Sequence, residues 1–442
     1  MRRAVLLCCL LYCTGILAVT RPPGIITQPR YDVYFKAGET VELPCVAEGK
    51  PNPRYTWEKN GLQFNPSGND DRTVQLPNVG TIVINRTEDK DEGILQCFAE
   101  NDYGKSATIN IYLREAKLKD FNVEMDTTYT PYLGESLTLN CIPPESIPPP
   151  DVYWVIKEQH GSFTPVNFDA RVTMDHEYRL RFTNVKASDG QNGNSYACLA
   201  MNRFMRKSTV GGSNFIQPRG SSEVQRSVTY MWASPSDLYG LRGDEFRIKC
   251  IFAGNPTPDV HWKRTDGKPL PDHVKHSSFG QELVFSSLEY SDAGDYECWA
   301  TNALTPQRVQ RSMTLRVKSR PYWIEEPQDV ELGIGGTAHF KCLAGGDPAP
   351  NIYWFINSVP LSKANVNSRF KKVSADEVMI VNVTKEDAMV IQCNATSKLG
   401  YIWGDVYLNV LCKYQLNPQE TQDKEDYEEE QLLNILEIGS NV

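Results

Sequence analysis

The sequence lacks the features by which enzymes and membrane-spanning proteins are usually recognised. No phosphate-binding loop, nucleophile elbow or His-Glu-x-x-His zinc signature occurs in its 442 residues, and the six histidines show no metal-ligand spacing. After residue 20, no apolar run reaches the length of about 18 residues that a membrane-spanning helix needs. These absences predict a protein that is not an enzyme, uses no cofactor or metal, and has no transmembrane span.

An excess of positive charge is also lacking. Asp and Glu total 55 against 46 Lys and Arg, so the formal net charge is −9. Most of the surplus lies after Leu411, where eight acidic residues accompany only Lys413 and Lys424. A mildly acidic body gives no general attraction to nucleic acid or to anionic membranes, which excludes nucleic acid as an expected partner.

The first twenty residues have the pattern of a secretory leader. A short basic start, Met1–Arg3, precedes the apolar run Ala4–Val19, and small residues near position 20 suit cleavage. The sequence therefore predicts a signal peptide over residues 1–20 and an extracellular, secreted product, where disulfides persist. Three of the twelve cysteines lie in this segment, and among the remaining nine Cys412 is left over. We interpret Cys412 either as a free thiol or as the link of a disulfide-bonded dimer.

One spacing of cysteine and tryptophan recurs four times along the rest of the chain. In the third copy Cys250 is followed after 12 residues by Trp262, and Tyr296 stands two residues before Cys298. In an immunoglobulin-type sandwich the two cysteines bridge the sheets, the tryptophan packs on the disulfide, and the tyrosine anchors a corner. The four copies are Cys45, Trp57 and Cys97; Cys141, Trp154 and Cys198; Cys250, Trp262 and Cys298; and Cys342, Trp354 and Cys393.

The repeat predicts an all-β chain of four tandem immunoglobulin-like sandwiches of the I-set type, each with its own disulfide. Closing a loop of about 50 residues removes roughly 4 kcal/mol of unfolded-chain entropy, a large share of the stability of so small a domain. The expected bounds are residues 24–114, 119–210, 224–318 and 320–411 for domains 1 to 4. Residues 412–442 form an acidic tail whose composition predicts disorder, with one short amphipathic helix containing Leu432, Leu433, Ile435, Leu436 and Ile438.

The junction between domains 2 and 3 is longer than the other two. Cys198 and Cys250 are 52 positions apart, whereas Cys97 and Cys141 are separated by 44. Gly, Ser and Pro dominate the surplus, so residues 211–223 are predicted to be a linker. Twelve such residues reach at most about 40 Å, roughly the width of one domain. The extra length suits either a chain that folds back on itself or a hinge with no preferred closure.

Candidate modification and binding residues lie on the predicted strands and loops. Three Asn-x-Ser/Thr sequons, at Asn85, Asn382 and Asn394, occupy outward positions and predict N-glycosylation. Two basic clusters are either solvated loops or contacts for a polyanion such as a sulfated glycan or bacterial lipopolysaccharide. Their members are Arg203, Arg206 and Lys207 in domain 2, and Arg369, Lys371 and Lys372 in domain 4. Four acidic residues recur shortly before the second cysteine and are interpreted as structural: Asp91, Asp189, Asp292 and Asp387.

Three runs carry a more specific resemblance. The runs Phe98–Gly104, Cys393–Tyr401 and Asp405–Val410 resemble the first four domains of the neuroglian/hemolin type of immunoglobulin-superfamily protein. The resemblance implies a horseshoe, with domain 1 against domain 4 and domain 2 against domain 3. It also implies homophilic or heterophilic adhesion, through binding to itself or to related receptors, or alternatively a humoral immune role in which lipopolysaccharide is bound. The chain departs from neuroglian in lacking fibronectin type III modules and a membrane anchor.

Overall fold

The computed structural model describes residues 20–66, 68, 70–122 and 126–411. The described residues divide into two compact units: one contains those up to Arg114 together with those from Pro321 onward, and the other contains those from Glu115 to Arg320. Domains 1 and 4 therefore belong to one unit, and domains 2 and 3 belong to the other. The predicted signal peptide, Cys412 and the acidic tail lie outside the described residues.

Domain 1 is a sandwich of short strands with alternating burial. Along the strand that carries the second cysteine, Leu95, Cys97 and Ala99 are buried, because successive side chains point to opposite faces. One sheet has the order β2-β11-β9-β5-β6 with β10 added to β9, the second has the order β3-β8-β7, and β1 pairs with β4. The strands are β1 (Arg21–Thr27), β2 (Asp32–Phe35), β3 (Val41–Leu43), β4 (Val46–Lys50), β5 (Arg54–Lys59), β6 (Leu62–Phe64), β7 (Thr73–Gln75), β8 (Ile82–Ile84), β9 (Gly93–Asn101), β10 (Gly104–Ala107) and β11 (Ile111–Glu115).

Domain 2 repeats this plan in the other unit. Its sheets have the orders β13-β22-β20-β16-β17, with β21 added to β20, and β14-β19-β18, while β12 pairs with β15. The strands are β12 (Lys117–Leu118), β13 (Thr127–Tyr129), β14 (Leu137–Leu139), β15 (Ser146–Ile147), β16 (Asp151–Lys157), β17 (Phe163–Pro165), β18 (Val172–Met174), β19 (Leu180–Phe182), β20 (Ser195–Asn202), β21 (Lys207–Val210) and β22 (Asn214–Ile216).

Residues 211–223 are not the free linker that their composition predicts. Strand β22 lies inside this range and pairs in parallel with β13, and Asn214 also faces Tyr196 of β20. A further bridge joins Arg219 to Tyr132. The prediction was wrong because Gly and Ser flank the strand, whereas its hydrogen-bond partners come from a strand far earlier in the chain. Domain 2 likewise begins earlier than expected, since β12 pairs with β15.

Domain 3 has two larger sheets. Their orders are β24-β30-β29-β26 and β23-β25-β28-β27. The strands are β23 (Arg226–Ala233), β24 (Asp237–Leu241), β25 (Phe246–Asn255), β26 (Asp259–Arg264), β27 (Lys275–Ser277), β28 (Glu282–Phe285), β29 (Gly294–Asn302) and β30 (Thr305–Glu325).

Domain 4 completes the unit that contains domain 1. Its sheets have the orders β31-β39-β38-β34-β35 and β32-β37-β36, and β33 pairs with β30. The strands are β31 (Val330–Gly333), β32 (Ala338–Lys341), β33 (Leu343–Asp347), β34 (Asn351–Ile356), β35 (Val359–Pro360), β36 (Phe370–Lys372), β37 (Glu377–Ile380), β38 (Met389–Ser397) and β39 (Gly400–Leu411).

Each domain buries its own core around a disulfide and a tryptophan. In domains 2, 3 and 4 an early strand pairs in parallel with the last strand: β13 with β22, β24 with β30, and β31 with β39. Short 3-10 helices interrupt the strands at Asp89–Asp91, Ala187–Gly193, Ser278–Gly280, Tyr290–Asp292 and Lys385–Asp387. Four of them lie at the corner before the second cysteine, where the recurring aspartates are found.

Candidate functional sites at the domain contacts

Domain 1 contacts domain 4 through the hairpin that joins β9 to β10. The backbone amide of Lys105 donates to Asn357 Oδ1 at 3.2 Å, and the Ser358 hydroxyl donates to the Lys105 carbonyl at 3.0 Å. A Cβ on Gly104 would lie 2.9 Å from Asn357 Oδ1 and 3.1 Å from the Val390 backbone nitrogen. Glycine at this position therefore permits the two domains to approach this closely.

A buried amide extends this contact. Gln392 has no exposed surface, and its Nε2 donates to the Ala107 carbonyl of domain 1 at 3.2 Å and to Asp405 Oδ1 at 2.9 Å. Burial raises the pKa of Asp405 to about 6, although the hydrogen bond from Gln392 acts in the opposite direction. The contact thus includes a carboxyl group that changes charge close to neutral pH.

We expect Asp405→Asn to stabilise the chain at pH 7.5 and to give no such advantage near pH 4. Because burial raises the pKa of Asp405 from 3.8 to about 6, the folded state binds more protons there than the unfolded chain between these values. The contribution of this group to stability is greatest below pH 3.8 and is lost as the pH rises through 6. The difference amounts to at most about 3 kcal/mol at neutral pH.

The measurement is the melting temperature of both proteins from pH 4 to pH 8. Asp376→Asn in the same domain is the control. A hydrogen bond from Ser374 lowers the pKa of Asp376, so this substitution should lower the melting temperature at neutral pH, opposite to the change expected for Asp405→Asn. Equal melting temperatures of Asp405→Asn and the parent chain at every pH would contradict the prediction.

Aromatic rings also take part in the contact between domains 1 and 4. The ring of Tyr31 lies 4.4 Å from that of Tyr112 and 5.7 Å from that of Tyr401, measured between centroids. The guanidinium of Arg21 lies 4.6 Å above the ring of Tyr407. A hydrogen bond with Tyr112 raises the pKa of Tyr31 to about 12, and burial raises the pKa of Tyr401 to about 12. These two phenols therefore stay neutral at physiological pH.

A buried asparagine forms part of the contact between domain 2 and domain 3. Asn184 is 1% exposed, and its Nδ2 donates to the Gly254 carbonyl at 2.8 Å and to Thr257 Oγ1 at 3.1 Å. The Gly254 amide in turn donates to the Thr183 carbonyl at 3.1 Å. Because backbone groups of both domains take part, the contact has a defined register and orientation.

Charged groups of domain 3 are also buried against domain 2. The ammonium of Lys249 donates to Thr173 Oγ1 at 2.9 Å and to the Met174 carbonyl at 2.8 Å, and burial lowers the pKa of Lys249. Glu282 lies 3.0 Å from His176 Nε2. Burial alone would raise the pKa of Glu282, but the hydrogen bond from His176 and the charge of Lys249 help lower it to about 2. Each charge thus has a partner across or beside the contact.

The predicted disulfides and core tryptophans have the expected places. Each tryptophan is at most 6% exposed and donates its indole N–H to a backbone carbonyl of its own domain. The pairs are Cys45–Cys97, Cys141–Cys198, Cys250–Cys298 and Cys342–Cys393. The corner tyrosines Tyr196 and Tyr296 donate to the carbonyls of Asp189 and Asp292, respectively.

Three domains contain an arginine–aspartate clasp at the corner before the second cysteine. The nitrogen–oxygen distances are 2.8 Å for Arg72–Asp91, 2.7 Å for Arg171–Asp189 and 2.6 Å for Arg369–Asp387. In domain 3, His273 takes the arginine's place, and its Nε2 lies 3.1 Å from Asp292. Sequence reasoning recognised the aspartates as structural but missed their partners. The available signal was the repeated separation of 18 or 19 residues between basic residue and aspartate.

Arg369 is engaged with Asp387 and with the Asn382 carbonyl, which leaves it less available to a polyanion, and its role in such a contact stays a prediction. Lys371 and Lys372 are exposed on the edge strand β36. In domain 2, Arg203 pairs with Asp151 and donates to the Tyr153 hydroxyl at 2.9 Å. The neighbouring cations of that cluster, Arg206 and Lys207, are exposed. The binding of a polyanion by the remaining residues stays a prediction.

The three sequons have different surroundings. Asn382 is exposed, whereas Asn85 is half-buried and accepts a hydrogen bond from the Thr40 hydroxyl at 3.1 Å. Asn394 is also half-buried and borders a small cavity that is lined by Asn110 of domain 1 and Tyr401 of domain 4. A glycan on Asn394 would therefore adjoin the contact between domains 1 and 4, and glycosylation of all three stays a prediction.

The part of the chain that the structure describes offers no cluster of three or more His, Cys, Asp or Glu side chains that could hold a metal ion. Over the same residues, no helix has both the length and the hydrophobicity required to cross a membrane.

Comparison with known proteins agrees with this architecture. The family model described as "Immunoglobulin domain" matches residues 22–101 and 229–302, and the "Immunoglobulin I-set domain" model matches residues 321–410. Together these matches cover more than half of the chain. Disulfide-bonded sandwiches that match these models define a protein built of tandem immunoglobulin domains. The chain belongs to the immunoglobulin superfamily.

Its relatives within that superfamily are neural adhesion molecules. The chain is 33% identical over 405 residues to neuroglian of Drosophila melanogaster, a match that spans 88% of this chain and 31% of the relative. It is 30% identical over 404 residues to human neural cell adhesion molecule L1, spanning 89% of this chain and 31% of that protein. The chain thus spans about a third of the length of these relatives.

A solved structure shows the same kind of fold. Hemolin, described as an insect immune protein whose domain arrangement has implications for homophilic adhesion, superposes with a TM-score of 0.77 at 25% sequence identity. The match covers 88% of this chain and all of the hemolin chain. The resemblance to the neuroglian/hemolin type, predicted from three short runs, is confirmed. The two implied pairings, domain 1 with domain 4 and domain 2 with domain 3, are each present within one unit.

Proposed function

We propose that this chain is a secreted binding protein that mediates or modulates cell adhesion by binding itself or related immunoglobulin-superfamily receptors. The main support for the proposal is the match to neuroglian, which is 33% identical in sequence and spans 88% of this chain. Hemolin supports the same function, because its domain arrangement is described as having implications for homophilic adhesion and the match covers its whole chain. Secretion would place the product where such receptors are exposed.

The domain contacts support this function physically. Buried side chains such as Gln392 and Asn184 join the paired domains, so each pair presents a surface of set geometry. A partner that binds a preformed surface does not have to order it first, which favours affinity. A disulfide-linked dimer through Cys412 would add a second binding head and hence avidity.

A second candidate is a humoral immune factor that recognises bacterial lipopolysaccharide. It is favoured by the description of hemolin as an insect immune protein. The engagement of Arg369 with Asp387 and of Arg203 with Asp151 weakens it, because paired cations attract a polyanion less.

Bead aggregation tests the adhesive function. We expect beads coated with the full chain to aggregate with one another, and Gly104→Val to slow aggregation by about tenfold or more. A valine side chain would overlap Asn357 and Val390. Such overpacking costs about 1–3 kcal/mol, and each 1.4 kcal/mol lowers the equilibrium constant for the contact between domains 1 and 4 about tenfold. The measurement is aggregate size against time by light microscopy.

Asp102→Ala is the matched control, because Asp102 is exposed in the same hairpin and its loss should leave aggregation unchanged. Parent beads that stay dispersed but bind bacteria, with competition by free lipopolysaccharide, would favour the immune candidate. Aggregation of Gly104→Val at the parental rate would contradict a role for the domain 1–domain 4 contact.

A further inference from the structure

Domain 4 contains an apolar groove where its two sheets separate. The groove has a volume of about 610 Å³ and lies between β35, the edge strand of one sheet, and β36, the edge strand of the other. Its walls include Ile352, Phe355, Leu361, Val366 and Phe370. All five are only partly buried, so they present apolar surface that another side chain can cover.

The rim of the groove is positively charged. Lys372 lines the groove, and Lys363 and Lys371 directly follow the lining residues Ser362 and Phe370 in the chain. All three lysines are exposed, and none of them forms an ion pair with the described residues. No carboxylate lines the groove. Two exposed apolar residues, Val359 and Val373, directly adjoin the lining residues Pro360 and Lys372 in the chain. The groove therefore suits a ligand that combines apolar side chains with negative charge.

The chain itself contains a segment with this chemistry. Six acidic residues and one lysine lie within Asp423–Glu430, and five of the seven residues in Leu432–Ile438 are Leu or Ile. We propose that the segment Leu432–Ile438 docks in the groove of domain 4, with the acidic run Asp423–Glu430 lying against the lysines of the rim. Domain 4 then carries an internal ligand that competes with external partners for this surface.

The connecting chain is long enough for this docking. Strand β39 ends at Leu411 in the sheet that also contains β35. Three strand spacings of about 4.8 Å and about five residues along a strand place the groove roughly 20–25 Å from Leu411. The twenty residues 412–431 span at most about 70 Å when extended and about 25 Å as a random coil. No strain is therefore needed for the segment to reach the groove.

Tethering makes even a weak contact sufficient. A short flexible connection gives an effective concentration on the order of 1 mM. A groove with a dissociation constant of about 0.1 mM would then be about nine-tenths occupied. Amide protons that exchange only when the groove is empty would then exchange about ten times more slowly than in a chain without the segment. Opposite charges at the rim add to the attraction at low ionic strength.

Site-specific photocrosslinking tests the proposal in the full chain. With a photoreactive residue in place of Leu432, we expect crosslinks within one chain to residues 352–373, identified by mass spectrometry. The same probe in place of Leu416 should not give these crosslinks. Mixing isotopically labelled and unlabelled chains separates crosslinks within a chain from those between chains. Crosslinks only between chains, or only outside domain 4, would overturn the proposal.

Hydrogen exchange gives a second readout. Removing residues 423–442 should speed amide exchange over residues 359–373 about tenfold, and the double substitution Lys371→Glu with Lys372→Glu should reproduce most of this change. Lys398→Glu, at an exposed site elsewhere in domain 4, is the matched control and should leave exchange unchanged. Identical exchange with and without residues 423–442 would overturn the proposal.

Discussion

Replacement of Arg171 by leucine is expected to destabilise domain 2 by about 3–5 kcal/mol. Its guanidinium donates two hydrogen bonds to the carboxylate of Asp189, at 2.7 and 2.9 Å, and a third to the Asn184 carbonyl at 2.9 Å. Asp189 is 3% exposed, so the substitution would leave a buried carboxylate without its counter-ion. The measurement is the free energy of unfolding from denaturant titration, with hydrogen exchange to assign the loss to domain 2.

Arg203→Leu in the same domain is the matched control. Its ion pair with Asp151 is exposed on both sides, so the expected cost is below about 1 kcal/mol. Replacement of Arg171 and Asp189 together by leucine should cost less than the loss of Arg171 alone, because no unpaired charge remains buried. An effect of Arg171→Leu no larger than that of Arg203→Leu would contradict a structural clasp.

Replacement of Trp262 by alanine is expected to destabilise domain 3 by about 3–5 kcal/mol. The ring is 6% exposed, belongs to the same core cluster as Cys250 and Cys298, and donates its N–H to the Gly280 carbonyl at 2.8 Å. Its removal would leave a cavity beside the disulfide and an acceptor without its donor. Hydrogen exchange should accelerate in β25 and β29, which carry the two cysteines.

Trp299→Ala is the control for residue type, because Trp299 lies on the outer face of the same sheet. Its ring stacks with His261 and lies 4.6 Å below the Arg308 guanidinium. Exposed contacts of this kind contribute only about 0.5–1 kcal/mol. A near-neutral effect of Trp262→Ala would mean that the ring does not hold the core of domain 3.

The sequence-based predictions succeeded where defined residue types recur at nearly constant spacing, and they missed interactions whose partners were not recognised in that pattern. Cys250, Trp262 and Cys298 were identified because a sandwich core needs those residue types at nearly constant spacing. Strand β22 was predicted as linker because its identity depends on pairing with β13, which composition does not contain. The pairing of Arg369 with Asp387 was missed because the separation of 18 residues, which nearly repeats in the other domains, was not recognised.

The resemblance implied which domains pair, but the individual residues that form the contacts between domains carried no sequence signal. Gln392 and Asp405 stand at ordinary strand positions, and only the approach of Ala107 from domain 1 makes them part of a contact. The strand position of Lys249 likewise indicates a solvent-facing side chain, but in the structure its ammonium is bonded to Thr173 and Met174 of domain 2. Burial by a second domain changes the chemistry of these groups, as the pKa of about 6 for Asp405 illustrates.

The sequence by itself determined the number of sandwiches, their disulfides and their core tryptophans, because these depend on residues that lie within one domain at repeated spacings. Tertiary structure alone decided which residues form the domain contacts, which charges are buried, and which arginines are engaged in ion pairs. The physical reason is that a domain contact is a property of two surfaces, whereas a core is encoded by the alternation of apolar residues within single strands.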